Sequence, residues 1–176
     1  MAHKYAQTEL ERRWLLVRWP DALQNSQEYQ LIEDRYLSGT PLRLRRMTDA
    51  SGQATALKLT QKYQAADQTA YATTITNFYL DEASYALLET LPAKVLVKRR
   101  YKLVDGRFPF SIDQFLGRLE GLVLAEIEQP DIASLLAIPH PTFAQREVTE
   151  DSRFTGGELV ALTPNQCQQL LWEIRN

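Results

Sequence analysis

Charged side chains recur at every second position along several segments of the chain, and their signs are sorted rather than mixed. In TELERRWLLV (8–17), Glu9, Glu11 and Arg13 share one face of an extended chain, while Leu10, Trp14 and Leu16 take the other. In PLRLRRM, Arg43 and Arg45 lie opposite Leu42 and Leu44, and in ALKLTQKY, Lys58, Thr60 and Lys62 share a face. In KVLVKRRYKL, Lys94, Lys98, Arg100 and Lys102 lie opposite Val95, Val97, Tyr101 and Leu103. In LVLAEIEQ, Leu122, Leu124, Glu126 and Glu128 lie opposite Val123, Ala125 and Ile127. A period of two restricts such segments to a sheet. An ordinary solvated sheet face intersperses both signs, and like charges side by side on a pleat repel. A polyanion would relieve the basic pairs, and a divalent cation the acidic ones. Hard cations favour carboxylate oxygens and bridge to phosphates, so one ligand that satisfies both groups is a metal-bound polyphosphate.

The segments reading as strands are 8–17, 27–36, 41–47, 54–63, 70–79, 94–104, 107–115 and 121–129. Turns separate them at TDASGQA (48–54), QAADQT (64–69) and KLVDGRF (102–108), where Asp105-Gly106 signals a two-residue hairpin turn. Asp81 can cap a helix carrying Ala83, Leu87, Leu88 and Leu91, PDIASLLAI (130–138) reads as a short helix ended by Pro139, and Thr163-Pro164 opens a C-terminal helix. Many antiparallel strands with a few helices outside predict an α+β fold on a large, barrel-like sheet.

At 176 residues with no internal repeat, the chain suits one domain, 1–176. Its net charge of −2 argues against a nucleic-acid partner, so any basic site must be local. One cysteine, Cys167, excludes an intramolecular disulfide and suits a reducing compartment. With no apolar leader segment and no run long enough to span a membrane, a cytoplasmic protein is expected, with no membrane partner.

The charged pairs, taken in order, resemble the motifs of the CYTH superfamily, the triphosphate tunnel metalloenzymes. The family's opening Glu-x-Glu-x-Lys looks like Glu9, Glu11 and Arg13. Its Arg-x-Arg strand after a tyrosine looks like Tyr36 followed by Arg43 and Arg45, and its Thr-x-Lys strand like Thr60 and Lys62. Lys98 with Arg100, then Asp113 in FSIDQF, then Glu126 and Glu128 in LAEIE continue the series, and REVTEDSRF (146–154) resembles its late Glu-Val-Thr block. The resemblance implies a closed tunnel of eight antiparallel strands, roughly 8–160, with a charged lumen, helices packed outside and a C-terminal helix over 163–175. The apolar strand faces would pack outward.

It further implies metal-dependent hydrolysis, with Mg²⁺ or Mn²⁺, of inorganic triphosphate or a small organic triphosphate; polyphosphate is also a candidate ligand. Carried over by position, Glu9, Glu11, Asp113, Glu126 and Glu128 would hold metal. Arg43, Arg45, Lys58, Lys62, Lys98, Arg100 and Arg153 would contact phosphates, and Arg13, Lys62 and Glu11 would be catalytic. A homodimer is left open. The chain departs from the family at Arg13, where lysine is usual, and in QTAYATTITN, whose expected inward positions Ala70, Ala72 and Thr74 carry no carboxylate. These departures keep two other functions in view: a catalytically weak polyphosphate- or nucleotide-binding module and, further off, a class IV-type adenylate cyclase. His3, His140 and Cys167 lie in no recognisable catalytic arrangement, and Trp14, Trp19 and Trp172 read as packing residues.

Overall fold

The computed structural model describes residues 5–63 and 69–175. In chain order its strands are β1 (Gln7–Leu16), β2 (Gln30–Leu37), β3 (Leu42–Thr48), β4 (Ala54–Tyr63), β5 (Ala72–Tyr79), β6 (Ala93–Asp105), β7 (Phe108–Phe115), β8 (Val123–Glu128) and the short β9 (Arg146–Glu147). Its helices are α1 (Glu82–Glu89), α2 (Ile132–Leu136), α3 (Gly156–Ala161) and α4 (Pro164–Arg175). The eight expected strands are all present, with ends shifted by a few residues. The loop expected at 64–69 falls mostly on residues outside those described, as does His3.

The sheet runs β5-β4-β3-β2-β6-β7-β8-β1, and β5 pairs with β1 to close it into an antiparallel barrel. β1 makes the seam possible by dividing its length. Gln7–Leu10 pairs with β5, and further along Trp14 and Leu15 pair with β9, while Glu11–Leu16 pairs with β8. Closure leaves no free edge among the eight strands. The β6–β7 hairpin turns on Gly106 and Arg107, one residue later than expected, because Asp105 still pairs with Phe108. Gly106 has φ 61°, which suits glycine at the first position of such a turn.

Alternation then sorts the side chains, but the apolar ones do not all go outward. Trp14, Leu16, Tyr101, Ile112, Ala125 and Ile127 do, packing beneath Leu135 of α2. Leu44 and Leu57 do so beneath Tyr85 of α1. Asp81 caps α1 by accepting from the Ser84 amide at 2.7 Å, a contact worth about 1 kcal/mol. The third cluster is different. Leu15, Leu96, Phe115 and Leu124 share strand faces with Arg13, Lys98, Asp113 and Glu126, and they pack against Phe154, Leu159, Val160, Leu170 and Ile174. The barrel is therefore apolar inside at one end, where α3 and α4 lie across it. Cys167 is buried in this cluster, whereas Trp172, expected to pack, is exposed. α3 forms despite opening on Gly156-Gly157, because Thr155 caps it and Leu159 and Val160 are buried. Gly156 also cannot be replaced without movement, since a Cβ there would collide with the Tyr36 hydroxyl.

Candidate functional site

The charged remainder of the interior surrounds a cavity of about 730 Å³. Glu9, Glu11 and Arg13 reach it from β1, Asp34 and Tyr36 from β2, Arg43 and Arg45 from β3, Lys62 from β4, Lys98 and Arg100 from β6, and Glu126 and Glu128 from β8. Lys94 also lines it and is exposed at its rim, as are residues 150–157 after β9 in part.

One wall is basic, and each of its cations has a buried acid. Asp34, 2% exposed, sits opposite Arg45 on the neighbouring strand. It accepts from Arg45 Nε at 2.6 Å and Nη2 at 2.7 Å, and Arg43 Nε lies 3.4 Å from its Oδ1. Burial opposes ionisation of Asp34, but Arg43 and Arg45 outweigh it and hold the carboxyl well below its usual range. Arg43 also reaches the Tyr36 hydroxyl, whose ionisation burial pushes up. Asp113, 0% exposed, accepts from Arg100 Nε and Nη2, both at 2.6 Å, and from Lys98. Arg100 bonds Glu126 as well. For Glu126, too, burial opposes charge, and Lys98 and Arg100 overcome it, keeping the carboxyl low.

The other wall is acidic and poorly compensated. Glu11 lies directly across the β1–β8 ladder from Glu128. Lys62 bonds Glu9 Oε2 at 2.7 Å and lies 3.6 Å from Glu11 Oε1. Burial pushes the Glu11 carboxyl up, with Lys62 opposing and Glu126 adding to the rise. Glu128 is pushed up by burial and then by Glu9, Glu11 and Glu126. Lys62 stays an ammonium: burial works against its charge, and Glu11 and Glu9 more than restore it.

Arg13 stands between the walls, 6% exposed. Its Nη1 donates to the Phe154 carbonyl at 3.0 Å and its Nη2 to the Thr149 carbonyl at 3.4 Å, which ties β1 to the chain after β9. Thr149 accepts from the Arg13 amide at 3.0 Å and donates to Glu147, which holds Arg12 in a two-pronged pair. The Nε atoms of Arg13 and Arg43 are buried and make no hydrogen bond among the described residues.

Several expected positions differ. Asp113 and Glu126, both expected among the metal-holding acids, stand with the basic wall: Asp113 accepts from Lys98 and Arg100, and Glu126 from Arg100. Lys58 does not line the cavity; its ammonium lies over the Tyr79 ring, 5.0 Å from its centroid. Arg153 does not line it either. Its side chain is 53% exposed and pairs with Asp151 and Glu173. On β5 the inward face is Thr73, Ile75 and Asn77 rather than Ala72 and Thr74, because Glu9 pairs with Thr73, Lys62 with Ile75 and Thr60 with Asn77; Ala70, just before β5, does line the cavity. The corrected face still carries no carboxylate. Asp34 is the functional candidate that the sequence reading missed, although it lies two residues before Tyr36 on the same strand face.

The donor set of Glu9, Glu11 and Glu128 is all carboxylate oxygen and mutually repulsive, which suits a hard divalent cation. As the side chains stand, no group of three or more His, Cys, Asp or Glu among the described residues is arranged to hold an ion; Lys62 occupies the space between Glu9 and Glu11. Among the described residues no helix is long and apolar enough to cross a membrane.

No protein-family profile matches the chain. Over 75 residues it is 44% identical to the inorganic triphosphatase of Acetivibrio thermocellus, a stretch covering 42% of this chain and 47% of that one. The match thus spans about half the length of that curated relative. Two crystal structures superpose over most of the chain. One is described as the inorganic triphosphatase NE1496, with TM-score 0.58, 22% identity, and 89% of this chain and 96% of that one covered. The other, described as the hypothetical protein NE1496, has TM-score 0.58, 23% identity, and 89% and 99% covered. At these identities the likeness is one of fold, and it agrees with the closed eight-stranded barrel. The chain shares the fold of these two structures.

Proposed function

We propose that the chain hydrolyses inorganic triphosphate, or a small organic triphosphate, inside the barrel. One observation carries this reading: a single cavity opposes a wall of oriented cations to a wall of under-compensated carboxylates. The names of the partial relative and of the superposable structure support it.

Arg43, Arg45, Lys98 and Arg100 bind the phosphate oxygens. The arginines present forked donors already oriented by Asp34 and Asp113, while Lys98 acts as a compact charge. Glu9, Glu11 and Glu128 would hold Mg²⁺ or Mn²⁺, which supplies charge neutralisation between carboxylate and phosphate oxygens. Arg13 remains a cation throughout and cannot serve as a base; its contribution is positive charge held in place by the Thr149 and Phe154 carbonyls. Lys62, the cation nearest the acidic wall, completes the set beside Glu11. Phosphoryl transfer of this kind depends on positioning and charge stabilisation more than on covalent chemistry. A cytoplasmic setting, no membrane or nucleic-acid partner and a homodimer option belong to this reading.

The test is phosphate release from inorganic triphosphate with Mg²⁺ or Mn²⁺, beside polyphosphate, ATP and thiamine triphosphate. We expect turnover that Glu11→Ala lowers by at least about a hundredfold, the scale of losing one electrostatic partner in a phosphoryl-transfer site. A rate unchanged by Glu11→Ala removes the proposal. The carboxylate-free inward face of β5 favours a second reading, a polyphosphate-binding module of little activity. Calorimetry with triphosphate run beside the assay separates the two: tight binding without turnover selects the module.

A further inference from the structure

Lys62 reaches the acidic wall by passing over a strand. It lies opposite Ile75 of β5, and β5 in turn places Thr73 beside Glu9 of β1. Neither intervening side chain is charged. The ammonium therefore finds no acid on its neighbour and extends across β5 to Glu9 and Glu11. Its setting differs from that of Lys98. The Lys98 side chain is 7% exposed and its acid, Asp113, is sealed into the wall, whereas 34% of the Lys62 side chain is exposed. Lys62 is thus the more solvent-open of the two cations, and its acids are the ones that an incoming divalent cation would contest.

We propose that Lys62 is a tethered competitor at the carboxylate site: its ammonium holds the oxygens of Glu9 and Glu11, and a divalent cation displaces it into the cavity, where it meets a phosphate oxygen. This deepens the hydrolase reading and rests on it for the role of the phosphate. The physical reason is simple. A divalent cation sits about 2.0–2.6 Å from its carboxylate oxygens, and an ammonium bonded to the same oxygens would be left a few ångströms from it with like charge, at reduced screening. Glu9 and Glu11 cannot favour both at once. Freed from them, Lys62 is stabilised by a polyanion in the cavity. Cation and triphosphate then help each other to bind, each by the same factor, because both act on the position of one side chain. Without Lys62 the two ligands respond in opposite directions: the cation binds more tightly and the triphosphate more weakly.

The first test is calorimetric titration with Mn²⁺ alone, without any phosphate compound, on the wild-type chain and on Lys62→Met, which keeps most of the stem and removes the charge. We expect Lys62→Met to bind Mn²⁺ on the order of tenfold more tightly, the effect of removing one nearby competing charge. Equal or weaker Mn²⁺ binding by the variant overturns the proposal, and so does failure of both proteins to bind Mn²⁺. If Lys62→Met does not fold, the wild-type chain answers by Mg²⁺ titration with ¹³Cε-labelled lysine. The Lys62 signal should move while that of the exposed Lys102 stays in place, and a Lys62 signal unmoved at saturating Mg²⁺ overturns the proposal. Neither titration contains triphosphate. A protein without turnover would sink the hydrolase reading and leave these results standing, and the reverse also holds.

Discussion

The two walls of the cavity differ in how their charges are held. On the basic wall, Arg45 and Arg100 each meet a buried carboxylate with two donors, and Asp34 and Glu126 are kept ionised by the cations around them. On the acidic wall, Glu11 and Glu128 face each other and are pushed toward protonation, with Lys62 opposing the rise at Glu11 and Arg100 that at Glu128. A buried ion pair repays its desolvation only when its geometry is good and its other donors are satisfied. Arg45 and Arg100 meet that condition within the protein, while Arg43 keeps a buried Nε without a hydrogen bond among the described residues. The acidic wall meets it only with help from something that enters. One wall is a finished, oriented receptor, and the other stores repulsion that a cation would release.

The sharpest way to break this contrast is to remove a counter-ion from the finished wall. Asp113→Ala leaves Lys98 and Arg100 buried without their shared acid, and we expect a loss of about 3–5 kcal/mol in urea unfolding, the cost of breaking a buried pair from one side. A loss below about 1 kcal/mol would place these pairs with ordinary surface ion pairs and erase the difference between the walls.

Asp34→Asn is gentler, because an amide oxygen still accepts from Arg45 while the charge is gone. We expect a loss of about 1–3 kcal/mol at pH 7, the range for hydrogen bonds to charged groups. The pH dependence fixes the sign. The folded carboxyl lies below its unfolded value, so its contribution is fully present above the unfolded value, about 3.9, and is lost as pH falls below it toward the folded one. Urea midpoints at pH 7 and pH 3 should therefore fall less on acidification in Asp34→Asn than in the wild-type chain. An equal fall in both would show that Asp34 is not held ionised by its arginines.

The contrast between walls was only partly legible in the sequence, and the reason differs from residue to residue. Glu9 with Glu11, Arg43 with Arg45 and Glu126 with Glu128 stand out because same-sign pairs at spacing two survive any register. Asp34 does not, because Glu33 and Arg35 flank it and blur the alternation in QLIEDRYL. On β5 the run ATTITN offers similar side chains to both faces, so the inward side is set by pairing with β1 and not by pattern. Leu122 and Leu124 share a face with Glu126 and Glu128, and that switch from charged to apolar was the visible trace of the sealed end. The helices that seal it were harder to read. Gly156-Gly157 disfavours a helix, and α3 exists because Leu159 and Val160 have an apolar barrel end to cover.

The smallest expected effect lies on the acidic wall, and it has the opposite sign. Glu128→Gln removes one of the facing carboxylates and should stabilise the fold at pH 7 by about 0.5 kcal/mol, a modest figure because Glu128, though partly desolvated by the wall, keeps an open side that solvent screens. Its folded carboxyl lies above the unfolded value, raised by burial and by Glu9, Glu11 and Glu126. The stability tied to its protonated form is therefore present below about pH 4.3 and is lost as pH rises through the folded value. The gap between variant and wild type should open from near zero at pH 4 to its full size at pH 7, measured by urea midpoints at both. A variant less stable than wild type at pH 7 would mean that Glu128 is already compensated within the protein, and the two walls would then be held in the same way. If the variant gains stability and also binds Mn²⁺ less well, the repulsion across the β1–β8 ladder is being kept for the cation that relieves it.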